Sequence, residues 1–423
     1  MQRLLCPVET LYVAQRSRAV VSCTVAGGVD PQLLGAAFAD LTAKHPPLRC
    51  RIAREEAGFV LQELDAPPRL VVREDTGDGY PQELNSPLPV GGPLARATLL
   101  CGPESDTVVL AIDHAIIDGH SAIALHHALW ERYAELLAAP DTAPEPYRTE
   151  WPAPLSELLP PCPAAEADRY FDRRVAEVRS RPVELLPYDA AGTATGGRIE
   201  VARLVLAAGP TADLRRAAAT AGVSVQGLLA AALLVTARRR LPGEGARTLG
   251  CLSPVDLRSR LAEPLPREVM VAAVTSHAQA FEVAPDGDLL ALAGEVTGGL
   301  RAAVAAGQPL LEVRIMPRVP EFPPLLAATV IATNMGAVPP PPLPAGLELR
   351  ELRLVPAREQ YFPQAGRSPL MACVTTFDGR LAVEFPYWTE CYTDTFMAGF
   401  RDEVRHLLLD LAAPAGPSGG AAS

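Results

Sequence analysis

Apolar and polar positions alternate early in the chain. Val21, Cys23 and Val25 are separated by Ser22 and Thr24, which predicts a strand over residues 20–25. Asp30-Pro31 then sets a capping side chain before a proline at the first helical position. Leu33, Leu34, Ala37, Phe38 and Leu41 recur every three or four residues, so a helix should run on to His45-Pro46. Residues 59–64 form another strand, and 107–112 (TVVLAI) form an apolar run suited to a buried one. That run leads into Asp113-His114, and Gly119 interrupts the chain before a helix over 121–138.

From residue 140 to about 187 the pattern gives way to prolines, with one helix over 165–180. The second half opens on an alternating strand, 198–206, followed by helices 211–221 and 224–240, the latter nearly all apolar. Strands 248–254 and 327–333 and a helix over 289–305 come next. Strands 374–377 and 381–385 flank Asp378-Gly379, a two-residue hairpin signal, and an amphipathic helix covers 395–412. These elements predict an α/β protein of two units, residues 1–160 and 161–413, with a disordered tail at 414–423.

The length, 423 residues, fits two cores better than one, and 48 % hydrophobic residues can fill them. A net charge of -11 excludes non-specific nucleic-acid binding as the main activity. Lys44 is the only lysine. The eight cysteines are scattered without C-x-x-C spacing, so no metal site is expected, and buried free thiols in a reducing cytoplasm are the simplest reading. No signal peptide and no membrane-spanning apolar stretch is evident, and the chain is expected to be a cytoplasmic monomer.

The informative chemistry lies in Asp113-His114-Ala115-Ile116-Ile117-Asp118-Gly119. A strand end delivers a histidine, the side chain best matched to proton transfer near neutrality, into a loop. Asp118 could orient the imidazole or brace the loop, and Gly119 permits an unusual backbone angle or close approach of a ligand. His126 and His127 sit in the following helix and read as packing or surface residues, and His45 as structural. Arg238-Arg239-Arg240 reads as a helix-end cluster or as a docking patch, with the arginines at 173 and 174 as a second candidate patch. No G-x-S-x-G elbow is present, which argues against a serine hydrolase.

His114-x-x-x-Asp118-Gly119 resembles the active-site motif of the condensation-domain superfamily, which includes chloramphenicol acetyltransferase, plant H-x-x-x-D acyltransferases and peptide-synthetase condensation domains. Lys44-His45-Pro46-Pro47-Leu48-Arg49, Ser253-Pro254-Val255-Asp256-Leu257-Arg258, Thr333-Asn334-Met335-Gly336 and Arg367-Ser368-Pro369-Leu370 are similar to further family segments and occur in family order. The pattern is most similar to stand-alone polyketide-associated acyltransferases that esterify lipid alcohols. Asp113 stands where peptide-forming members usually carry a first histidine, which favours ester formation.

The resemblance implies two chloramphenicol-acetyltransferase-like α/β sandwich halves in a V-shaped pseudo-dimer, with the active site in the tunnel between them. It implies an acyltransferase using a phosphopantetheine-linked acyl thioester, on an acyl or peptidyl carrier protein or coenzyme A, and a small-molecule alcohol or amine acceptor. No cofactor would be bound. His114 would be the general base, and the Gly119 N–H an oxyanion donor. Thr333, Asn334 and Ser121 would bind substrate. Asp118 would pair with an arginine, Arg49 or Arg258, with Arg49 favoured. A non-catalytic carrier-binding module and a cyclase using the same cleft are the alternatives.

Overall fold

A computed structural model describes residues 2–190, 197–359 and 369–412. Arg367-Ser368 and the expected tail at 414–423 lie outside the described residues. Asp106–Asp113, the TVVLAI strand, is the middle of a five-stranded sheet. Its neighbours are Ser17–Ala26 on one side and Ala95–Cys101 on the other, both antiparallel, and Val71–Glu74 lies parallel beyond the latter. Helices Pro31–Lys44 and Gly119–Ala138 cover one face and close a core around Phe38, Leu48, Leu110 and Trp130. Asp30 caps the first helix as expected, accepting from the N–H groups of Gln32 and Leu33.

The second sheet has six strands in the order Val274–Val283, Arg247–Asp256, Val330–Ala337, Leu370–Phe377, Arg380–Trp388 and Ile199–Leu206. Helix Val225–Arg238 runs buried almost throughout beneath it, packed on Leu289–Ala305 and Asp394–Ala412. In the hairpin, Asp378 and Gly379 both take positive φ, 47° and 69°, as a two-residue turn matching the strand twist requires.

The sequence pattern missed the strand that ties the halves together. Glu348–Arg358 belongs to the C-terminal part of the chain, yet it pairs antiparallel along Ser17–Ala26 and forms the edge of the N-terminal sheet. Its alternation is hidden by Arg350, Arg353 and Pro356, and a proline in a strand is tolerated only where an edge leaves its nitrogen without a ladder partner. Arg353 then pairs with Glu384 and Arg203 with Glu351, fastening this strand to the six-stranded sheet. Strands Cys50–Glu55, Ala95–Cys101 and Val274–Val283 were likewise not predicted.

Candidate active site

His114 follows directly on the central strand, and its N–H donates to the Ser17 carbonyl at 2.9 Å, one last rung of the sheet. The Asp113 carboxylate accepts the Ala115 N–H at 2.9 Å and turns the chain into a tight loop. The loop closes where Asp118 caps the helix Gly119–Ala138. The imidazole stacks on Tyr12, ring centroids 4.0 Å apart and 13° from parallel. Its Nδ1 is buried without a hydrogen-bond partner among the described side chains and backbone. Burial lowers the pKa of His114 to about 4, and nearby Arg358 pushes the same way. The backbone of His114 and Ile117 and the Asp118 carboxylate oppose this shift without cancelling it. At neutral pH the imidazole is therefore an uncharged base.

Asp118 faces away from His114. Its Oδ2 accepts from Arg258 Nη2 at 2.7 Å and Nε at 3.1 Å, and from the Ala273 N–H at 3.1 Å. Its Oδ1 accepts the Ser121 N–H at 2.9 Å. The favoured partner Arg49 is thus corrected to Arg258. Arg49 is buried elsewhere, bonded to Glu63 and to the carbonyls of Thr42 and Ala43, with Tyr147 stacked on its guanidinium. Ser121 is corrected as well. It is 1 % exposed, and its hydroxyl completes a capping box with the Asp118 N–H and carboxylate instead of facing substrate.

A cavity of about 230 Å³ opens on His114. The six-stranded sheet supplies one wall through alternate residues, Leu252 and Pro254, Ser276 and Ala278, Ile331 and Thr333, Met371 and Cys373, as expected for one face of a pleat. Thr333 and Asn334 both line this cavity. Asn334 Oδ1 accepts the Gly336 N–H at 2.9 Å, which leaves its amide NH₂ for another partner. A second cavity, lined by Lys44, His45, His127, Glu131 and Arg267, shares His120 and Met335 with the first.

Gly119 is needed for closeness and not for backbone angle. A Cβ there would lie 2.8 Å from Met335 Sδ and 2.9 Å from its Cε. Gly119 and His120 also carry the first two N–H groups of the helix, for which no backbone or side-chain acceptor occurs among the described residues.

His126 is fully buried against Trp130, a packing role, and burial depresses its pKa to about 3. The docking reading of Arg238-Arg239-Arg240 is corrected. Arg238 is buried and bonds the carbonyls of Leu241, Gly243 and Gly245, while Arg239 and Arg240 both pair with Glu403. Arg174 is likewise buried on Glu312 and Glu177. The sequence reading missed Tyr12, Arg358 and Glu312. Each is isolated in sequence from the motif, and only the fold brings it to the cavity.

A family model described as the phthiocerol/phthiodiolone dimycocerosyl transferase C-terminus matches residues 195–386. The chain is 25 % identical over 356 residues to the phthiocerol/phthiodiolone dimycocerosyl transferase of Mycobacterium ulcerans, covering 81 % of this chain and 82 % of that protein. It is 26 % identical over 300 residues to the Mycobacterium leprae protein of the same name, covering 66 % of this chain and 68 % of that one. Polyketide synthase associated protein 5 from Mycobacterium tuberculosis superposes with a TM-score of 0.75 at 21 % identity, over 97 % of this chain and 98 % of that one. The trichothecene 15-O-acetyltransferase of Fusarium sporotrichioides gives 0.75 at 13 %, over 97 % and 95 %. The first condensation domain of the CDA synthetase gives 0.69 at 16 %, over 98 % of each chain. The structural matches show the two-half α/β fold, and the sequence similarity to the phthiocerol/phthiodiolone dimycocerosyl transferases extends over most of the chain.

Proposed function

We propose that this protein moves an acyl group from a phosphopantetheine-linked thioester to the hydroxyl, or amine, of a small-molecule acceptor in natural-product or lipid biosynthesis. One arrangement supports the reading: His114, whose pKa burial lowers to about 4, lines a cavity together with Asp118, Gly119 and Asn334. Nε2 takes the proton from the acceptor as its oxygen attacks the thioester carbonyl. The oxyanion forms near the N–H of Gly119, and the Asn334 amide is placed to bond substrate. The C–S bond then breaks, and the imidazolium returns its proton to the departing sulfur. A thioester is already activated, so no covalent enzyme intermediate is required.

The donor is read as an acyl or peptidyl carrier protein in preference to coenzyme A, because the chain has no glycine-rich phosphate loop. The test offers one acyl group on both donors with a set of alcohols and amines, and identifies products by mass spectrometry. Ester or amide formed only in the presence of the protein supports the reading. Thioester consumption without an acylated acceptor sinks it. Equal kcat/KM from both donors, with no salt dependence, removes the carrier preference alone.

A further inference from the structure

Met316, Val319, Leu325, Ile331 and Met371 give the first cavity an apolar flank away from His114. One carboxylate interrupts it. Glu312 ends a face that continues at Met316 and Val319, spaced four and three residues on, and all three line the cavity. Its side chain is 13 % exposed. Oε1 accepts from the Tyr170 hydroxyl at 2.6 Å and from Arg174 Nε at 3.1 Å. Neither bond uses Oε2.

A purely structural pair would be expected to use the two-oxygen fork of carboxylate and guanidinium. Here both donors converge on one oxygen, and Arg174 directs Nη1 to Glu177 at 2.7 Å. Burial raises the pKa of Glu312, and the charge of Arg174 with the hydrogen bonds from Tyr170 and Arg174 opposes this without cancelling it. Thr275 lines the same cavity, on the strand against which the Glu312 helix packs. It is 5 % exposed, and its hydroxyl lacks a partner among the described residues.

We propose that Glu312, held by Tyr170 and Arg174, binds a hydrogen-bond donor, a hydroxyl or an amine, carried along the aliphatic chain of one substrate at a distance from the reacting group. The inference rests on the acyl-transfer reading and narrows its substrate class to a chain with a second polar function. Oε2 accepts that group, and the apolar wall around it rejects chains polar at other positions.

The test uses the full chain and measures kcat/KM. Octanoyl and positional hydroxyoctanoyl thioesters of N-acetylcysteamine probe the acyl side. Octanol, octanediols and amino-octanols probe the acceptor side. On one of the two sides, one substituted position should exceed the plain chain by about 10-fold or more, the scale of a hydrogen bond to a charged group. Glu312→Gln should bring that ratio towards unity, because its amide offers a donor where the carboxylate offers an acceptor. The parent series stands without the variant, so misfolding of Glu312→Gln leaves the test intact. Equal use of plain and substituted chains on both sides overturns the proposal while acyl transfer stands. If no thioester is turned over, calorimetric binding of the same alcohols and thioesters to His114→Ala still reads the site. Substituted chains that bind no tighter than plain ones overturn it there too.

Discussion

Asp118 and Arg258 stand 140 residues apart in the chain and meet as a buried ion pair, with Nη2 and Nε of the arginine both on Oδ2 of the aspartate. Each side chain is 4 % exposed. Arg258 also donates to the carbonyls of Pro266, Val269 and Val271, so the pair stitches the motif loop to the segment of residues 266–271. Asp118 therefore positions His114 through the loop and does not share its proton.

Removing the aspartate should leave Arg258 charged, buried and under-paired. Asp118→Ala is expected to destabilise the fold by about 3–5 kcal/mol, the usual result of breaking a buried pair from one side. Denaturant titration reads this directly. A variant as stable as the parent would show that the loop holds its shape without the pair.

His114→Ala should keep the fold and lose turnover by at least about 10²-fold, the ordinary contribution of a general base. With the His114 pKa lowered to about 4, the base remains uncharged as pH falls through the usual histidine range. The kcat/KM profile should therefore stay level from neutrality to about pH 5 and fall on the acid side only as about pH 4 is approached. An acid limb centred near 6.5 would mean that His114 is solvated during catalysis.

The same shifts set how stability responds to acid. His45, His114 and His277 are depressed to about 4 and His126 to about 3, each mainly by burial. The unfolded chain binds these four protons near pH 6.5 and the folded chain does not, so stability is full above 6.5 and drains away as pH drops towards 4. Asp113, raised to about 7 by burial, works the other way, its contribution being lost as pH rises towards 7, and Glu312 is raised as well. Four histidines outweigh two carboxyls. The thermal midpoint should fall steadily between pH 6.5 and 4, and a midpoint that rises over that window would contradict the burial of these rings.

The reading from sequence succeeded where a local pattern carries the information. The apolar run ahead of Asp113, the Asp30-Pro31 cap and the Asp378-Gly379 turn each depend on neighbours in the chain, and each element lies within a few residues of its expected place. His114 and Gly119 lie close together because their placement is set within one strand, one loop and one helix start. Partner choice was different. Arg49 and Arg258 are equally plausible by charge, and only the packing of Leu257 and Val271 into one apolar cluster puts Arg258 beneath the loop. Tyr12 looks like any apolar position of a short helix until the sheet sets His114 against its ring.

Gly119 and Met335 supply a two-residue test of the close approach between them. The glycine N–H begins the helix, and its missing side chain leaves the space that Met335 fills, within 2.9 Å of where a Cβ would lie. The glycine φ is not among the positive ones, so alanine is conformationally acceptable and the conflict is with Met335 alone. The methionine end is flexible and will move. The fold of Gly119→Ala should therefore survive with a small loss of stability, while the displaced thioether intrudes where the two cavities meet and lowers kcat/KM by about 10-fold or more. Shortening the intruder should reverse this. In Gly119→Ala/Met335→Ala the clash is gone, and activity should recover towards that of Met335→Ala by itself. The coupling energy of this double-mutant cycle should then be about 1 kcal/mol or more and favourable, as expected for residues in direct contact. Additive effects would show that Gly119 is required for some reason other than the approach of Met335.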